Sequence, residues 1–170
     1  MRLLAGLAVG GVVLAGCGTS GSDIAGPAPS DSSGGFRSTD CNAVTDADVT
    51  KAVGSTFFTR VVVSDVGCFW QENTAIGDVG LGMGISTWWY RGSGLDAERS
   101  LERNAGRTLT ELTIDGNTGF KAYDGNACSV YVAKGSDVIT WSIQTVNAVM
   151  LPDLCSITET LAQLSQDRVS

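Results

Sequence analysis

The sequence predicts an α+β fold, an antiparallel meander sheet covered by helices and held by two disulfides. Three observations carry this. Short alternating segments are punctuated by Asp115-Gly116-Asn117, Asp124-Gly125-Asn126 and Gly135-Ser136, all hairpin signals. Three helical stretches stand apart from the strands rather than alternating with each of them. Cys41, Cys68, Cys128 and Cys155 form an even set in the part of the chain that has something to bury. With 170 residues, 43% of them apolar, the chain fits one domain plus an extra segment, and about 130 residues can bury a core unaided.

Thr45-Asp46-Ala47-Asp48 reads as a capping box that opens a first helix, with Val49, Ala52 and Val53 apolar and Gly54 as its stop. Phe57–Val63 and Cys68–Glu72 look extended, and Val79–Tyr90 alternates. Asp96–Ala105 predicts a middle helix with an apolar stripe of Ala97, Leu101 and Ala105, ending at Gly106. Strands follow near Thr108–Ile114, Thr118–Tyr123, Ala127–Ala133 and Val138–Val146. Alternation turns Leu112, Ile114, Phe120, Ala122, Cys128, Val130, Val132, Ile139, Trp141 and Ile143 inward, and Thr140, Ser142 and Gln144 outward. Ser156-Ile157-Thr158-Glu159 reads as a second capping box opening a last helix with Ile157, Leu161 and Leu164 on one stripe. The expected order is α-β-β-α-β-β-β-β-α.

Ahead of the domain, Met1-Arg2, an apolar run from Leu3 to Ala15, and Gly16-Cys17 have the order of an export signal. As a helix the run would reach only about 20 Å, short of the roughly 30 Å hydrocarbon core. Leu14-Ala15-Gly16-Cys17 resembles the bacterial lipobox. The resemblance implies that the Cys17 thiol receives a diacylglyceryl group, that the peptide is cut before it, and that the new amino group is acylated. Two or three acyl chains, at about 0.8 kcal/mol per buried methylene, hold a protein stably where one does not. From Gly18 to Asp40 the chain is Gly, Ser, Thr, Asp, Pro and Ala with little to bury, so it reads as a flexible tether. The expected organisation is a lipoprotein signal peptide over 1–16, a lipidated tether over 17–40 and one α+β domain over 41–170. The expected location is the extracytoplasmic face of the cell membrane.

Export to an oxidising compartment makes disulfides the default for the remaining cysteines. Three connectivities are open. Cys41 to Cys68 and Cys128 to Cys155 have equal spacing, and each joins a strand to the start of a helix, which favours those two bridges. Each closes a loop of about 27 residues, on the order of 3 kcal/mol in the chain-entropy account. Cys-x-x-Cys spacing is absent and histidine is absent, so neither a redox pair nor a metal site is expected.

The formal charge of -7 sets the chain against phosphate backbones and excludes nucleic acid as an expected partner. The lack of histidine removes the usual general base and the middle member of a Ser-His-Asp triad. No catalytic residue, metal or other cofactor is expected.

A lipobox, a low-complexity tether, Cys41-Asn42-Ala43-Val44-Thr45-Asp46-Ala47-Asp48-Val49 opening a helix, Gly67-Cys68-Phe69-Trp70, a later strand cysteine and a cysteine opening the last helix occur together. In this the chain resembles the actinobacterial, and in particular mycobacterial, envelope lipoproteins grouped under domain of unknown function 3558. The resemblance implies an envelope lipoprotein lipidated at Cys17, and it supplies no catalytic residues.

Two further features invite a functional reading. On a strand, Gly80, Gly82, Gly84 and Ser86 share one face with Trp88 and Tyr90. Side-chain-free glycines next to aromatics describe a groove for an apolar chain, a peptide or a sugar ring. Close packing of another element on the same glycines is the competing explanation. Asp46 with Asp48, and Glu98 with Glu102, are the carboxylate pairs that glycoside hydrolysis would need facing a cleft. Asp48 also reads as a cap, and Glu98, Arg99, Glu102 and Arg103 as a solvated face of alternating charge. Trp70 is expected to pack in the core beside the Cys68 disulfide. The leading expectation is a non-enzymatic lipoprotein, held to the membrane by Cys17 and binding an apolar ligand or an envelope protein. A carboxylate-based cell-wall glycan hydrolase and an accessory of a membrane signalling protein are the alternatives.

Overall fold

Seven strands of the described residues form one antiparallel sheet built from two meanders. The computed structural model describes residues 38–54, 58–64, 66–72, 82–148 and 153–168. Strands β1 (Phe58–Ser64), β2 (Gly67–Glu72) and β3 (Gly84–Tyr90) form a first meander. A second consists of β4 (Thr108–Ile114), β5 (Asn117–Tyr123), β6 (Ala127–Lys134) and β7 (Asp137–Gln144). The two meet where β3 pairs with β7. Helix α1 is Asp46–Val53, α2 is Leu95–Asn104 and α3 is Leu154–Arg168. Three strands therefore precede α2, one more than the expected order counted, because Gly84–Tyr90 forms its own full ladder with β2 and β7.

The turns follow their sequences. Asp115 (φ 49°) and Gly116 (φ 74°) are both left-handed, as a two-residue type I′ hairpin requires. Gly135 (φ 61°) opens the two-residue turn between Lys134 and Asp137. In the β5–β6 turn, the Asp124 carboxylate accepts from the backbone N–H groups of Asn126 and Ala127.

The main core lies on the sheet face covered by α1 and α3. Trp70 and Trp141 stack there with ring centroids 5.8 Å apart, both fully buried, among Ile85, Val130, Ile143 and Leu161. The Trp70 indole N–H donates to Asp46 at 2.8 Å and that of Trp141 to Ser165 of α3 at 2.8 Å, so each ring is buried without an orphaned donor. A smaller core of Phe120, Ala122, Tyr131 and Val138 lies on the opposite face, with Tyr90, Leu95 and Leu109 against it. Phe120 and Ala122 are thus buried as expected but on the other side from Leu112 and Ile114. Gly119 stands opposite Leu112 in the ladder, which turns Phe120 to the α2 face.

Both disulfides form with the favoured pairing, Cys41–Cys68 and Cys128–Cys155, each spanning 27 residues. The second ties the first turn of α3 to β6. The first ties β2 to a turn in which Cys41 (φ 49°), Asn42 (φ 56°) and Ala43 (φ 61°) are all left-handed. Such a run is costly for residues other than glycine, and surrounding contacts must hold it. The disulfide supplies one of them. The buried Asn42 amide donating to the Thr87 hydroxyl supplies another, and Arg168 donating to the Ala43 carbonyl at 2.9 Å a third.

The capping box of α1 forms as read: Thr45 Oγ1 accepts from the Asp48 N–H at 3.2 Å and Asp48 Oδ2 from the Thr45 N–H at 2.9 Å. The one expected at Ser156 does not. Helix α3 begins at Leu154, and Asp153 caps it by accepting from the Cys155 N–H at 2.9 Å. Glu159 is thereby free to pair with Lys121 of β5 at 2.7 Å.

Helix α2 departs most from expectation. Its small apolar stripe faces solvent, with Leu101 63% exposed, while Glu98 is 9% exposed and packs inward. The buried charges are matched one by one. Glu98 accepts from the Ser93 hydroxyl, and Glu102 from the Tyr131 hydroxyl and from Arg107 at 3.0 Å. Arg99 bonds Glu111 at 2.9 and 3.1 Å, its guanidinium 5.1 Å from the centre of the Phe120 ring. Paired in this way, charged groups can face a sheet whose own surface there is partly polar.

Candidate functional site

Of the residues proposed for a groove, Gly80 lies outside the described residues, as does the predicted lipidation site Cys17. Gly84, Ser86, Trp88 and Tyr90 do share one face of β3. A Cβ on Gly84 would lie 3.0 Å from the ring of Phe69, which stands on the same face of β2, so this glycine accommodates a close ring contact. Gly82 (φ 56°) precedes the strand, and a Cβ there would meet the Val146 side chain. Gly82 and Gly84 line a cavity of about 190 Å³ with Phe69 and Gln71, and Gly82 also borders one of about 410 Å³ with Asn126, Gln144 and Val146. Trp88 and Tyr90 sit toward the other end of β3, where Tyr90 and Leu95 of α2 both pack against the smaller core around Phe120. The glycines and the two aromatics therefore belong to different neighbourhoods, and Phe69 is the aromatic that accompanies the glycines.

The four carboxylates have structural partners. Asp46 accepts from Trp70 and pairs with Arg60 at 3.3 Å. Asp48 completes the α1 capping box and takes both arms of Arg168, at 2.6 and 2.9 Å. These hydrogen bonds, that from Arg168 foremost, hold the Asp48 carboxyl far below the usual carboxylate range. Burial, followed by the hydrogen bond to Glu102, pushes the Tyr131 phenol well above its ordinary value. Burial and the neighbouring charges of Glu98 and Glu102 push Tyr90 in the same direction. None of Asp46, Asp48, Glu98 and Glu102 lines either glycine cavity.

A third cavity, about 430 Å³, lies between the N-terminal turn of α3 and strands β4 and β5. Thr108 and Thr110 of β4 stand opposite Tyr123 and Lys121 of β5, and all four point to the α3 side. Asp153 and Leu154 form the helix wall. The sequence held one signal for it: polar residues occupy core-side positions of β4 and β5 at one end, whereas on that side β6 is apolar from Cys128 to Val132 and β7 from Ile139 to Ile143. Among the described residues no group of three or more metal-ligating side chains is gathered, and no helix is long and apolar enough to cross a membrane.

Residues 12–168 match the family described as protein of unknown function (DUF3558). The chain is 30% identical over 164 residues to proteins of Mycobacterium bovis and Mycobacterium tuberculosis, each named "Putative lipoprotein LprB", covering 89% of this chain and 86% of the relative. A protein of the same name from Mycobacterium leprae is 27% identical over 131 residues, 74% of this chain and 67% of its own. No solved structure matches. A family match over nearly the whole length, joined to relatives aligned across the domain, makes this chain a member of the DUF3558 family, similar to the mycobacterial LprB proteins.

Proposed function

We propose that the protein is an envelope lipoprotein, anchored by acyl chains on Cys17 after removal of a signal peptide, and that its disulfide-stapled domain is a non-enzymatic binding module at the extracytoplasmic face of the membrane. The observation that carries the reading is the lipobox Leu14-Ala15-Gly16-Cys17 at the end of a short apolar run. Two buried disulfides support it, since such bridges persist in oxidising compartments. The lipoprotein names of the mycobacterial relatives point the same way. The binding role is favoured over glycan hydrolysis because Asp46, Asp48, Glu98 and Glu102 are spent on caps, indole and hydroxyl donors and arginine partners.

Incorporation of labelled palmitate in the producing bacterium tests the anchor. Label is expected in the wild-type protein and absent from Cys17→Ala. Equal labelling of both, or none in the wild type, contradicts the reading.

A further inference from the structure

We infer that the cavity between α3 and the β4–β5 hairpin is a binding site for a neutral saccharide of one or two rings, an inference that rests on the reading of this domain as a binding module. Its volume of about 430 Å³ falls in the range of small-molecule sites, about 300–1,000 Å³. Tyr123 at its wall is 42% exposed, an aromatic surface held in place by the ladder through Thr108 on one side and Cys128 on the other. Gly125, left-handed at φ 92°, follows in the turn, and a Cβ there would find only the Tyr123 hydroxyl, 4.0 Å away. The described residues leave the space beside the phenol free.

The lining chemistry selects among ligand classes. Among the described lining residues an anion finds no free charge, because the Lys121 ammonium is already paired with Glu159 at 2.7 Å and Asp153 adds a carboxylate at the helix wall. An acyl chain would meet Ala148, Leu154 and the Tyr123 ring, but would strip water from Thr108, Thr110 and the Lys121–Glu159 pair and return no hydrogen bond to them. A sugar matches both halves of the surface. Its C–H face stacks on the Tyr123 ring. Its hydroxyls meet two threonine hydroxyls that each donate and accept, a carboxylate that accepts, and an ammonium with donors remaining after Glu159 has taken one.

The test is saturation-transfer NMR on the detergent-extracted full chain. The probes are maltose, cellobiose, trehalose and N,N′-diacetylchitobiose, with glucose 6-phosphate and octanoate as the anionic and apolar comparisons. At least one neutral disaccharide is expected to receive saturation. Its affinity should fall roughly tenfold in Tyr123→Ala and be retained in Tyr123→Trp. Thr110→Val, nearly isosteric and at an exposed position, should weaken binding several-fold and carries the test if Tyr123→Ala is poorly folded. No transfer to any of the four disaccharides, transfer unchanged in both variants, or binding confined to the phosphate or the fatty acid overturns the inference. Palmitate labelling is read independently, so a failed saccharide test leaves the lipoprotein anchor standing, and loss of labelling leaves the saccharide result standing.

Discussion

Arg168, in the last turn of α3, closes both guanidinium arms on Asp48, in the first turn of α1, at 2.6 and 2.9 Å across 120 residues of chain. The same guanidinium donates to Ala43 in the left-handed turn. One side chain therefore joins the end of the domain to its beginning, at the point where the Cys41 bridge enters.

This contact predicts an acid limb. The folded-state pKa of Asp48 is depressed below its ordinary 3.8, so its contribution is present above that value and is lost as pH falls toward the folded pKa. Urea unfolding of wild type and Asp48→Asn from about pH 7 to pH 2 should show the wild-type advantage, on the order of 1–2 kcal/mol, shrinking below about pH 4. An advantage independent of pH would contradict the assignment.

Helix α2 predicts an inverted mutational profile. Leu101→Gln should change stability by no more than about 0.5 kcal/mol, as befits an exposed position. Glu102→Ala should cost roughly 1–3 kcal/mol, because it takes the acceptor from the buried Tyr131 hydroxyl and leaves Arg107 with Asp124, at 3.4 Å, as its remaining carboxylate. Tyr131 has a raised folded-state pKa, so its contribution is present below the ordinary tyrosine value of about 10 and lost as pH rises above it. Tyr131→Phe should remove that alkaline loss. Chemical denaturation of each variant reads these effects, and a larger cost for Leu101 than for Glu102 would refute the orientation.

Two glycines should respond differently to a methyl group. A Cβ on Gly67 would meet the Thr87 carbonyl at 2.1 Å, a backbone atom that cannot move aside without breaking the β2–β3 ladder. A Cβ on Gly84 would meet side chains instead, the ring of Phe69 at 3.0 Å and the Gln144 amide at 3.7 Å. In thermal melts Gly67→Ala should lower the midpoint far more than Gly84→Ala, and equal shifts would count against the close approach.

Each disulfide should contribute about 3 kcal/mol. Paired replacements Cys41→Ser with Cys68→Ser, and Cys128→Ser with Cys155→Ser, followed by guanidinium unfolding, check this. Losses near zero for both pairs would show that the bridges do not constrain the unfolded chain.

What could be read from the chain was what local chemistry decides. Asp115-Gly116 demanded its hairpin, Thr45 and Asp48 their cap, and equal spacing the two bridges. The side to which Phe120 and Ala122 point was not legible, because both faces of the sheet carry a buried patch and alternation alone cannot choose between them. The orientation of α2 was misread because Ala97, Leu101 and Ala105 formed the more apolar stripe. The partners that make Glu98 and Glu102 buriable, Ser93, Arg107 and Tyr131, are assembled only by the fold. The cavity beside α3 left only the trace of polar core-side residues on β4 and β5, since Thr108, Tyr123 and Asp153 meet only once α3 has crossed the sheet.

The central claim is a lipid-modified amino terminus, and intact mass spectrometry of the protein extracted from membranes of the producing bacterium tests it most directly. The account predicts a chain beginning at Cys17 and heavier than its sequence by a diacylglyceryl group, with or without an amide-linked acyl chain. A mass equal to the unmodified sequence, with the leader either retained or cut elsewhere, would contradict it.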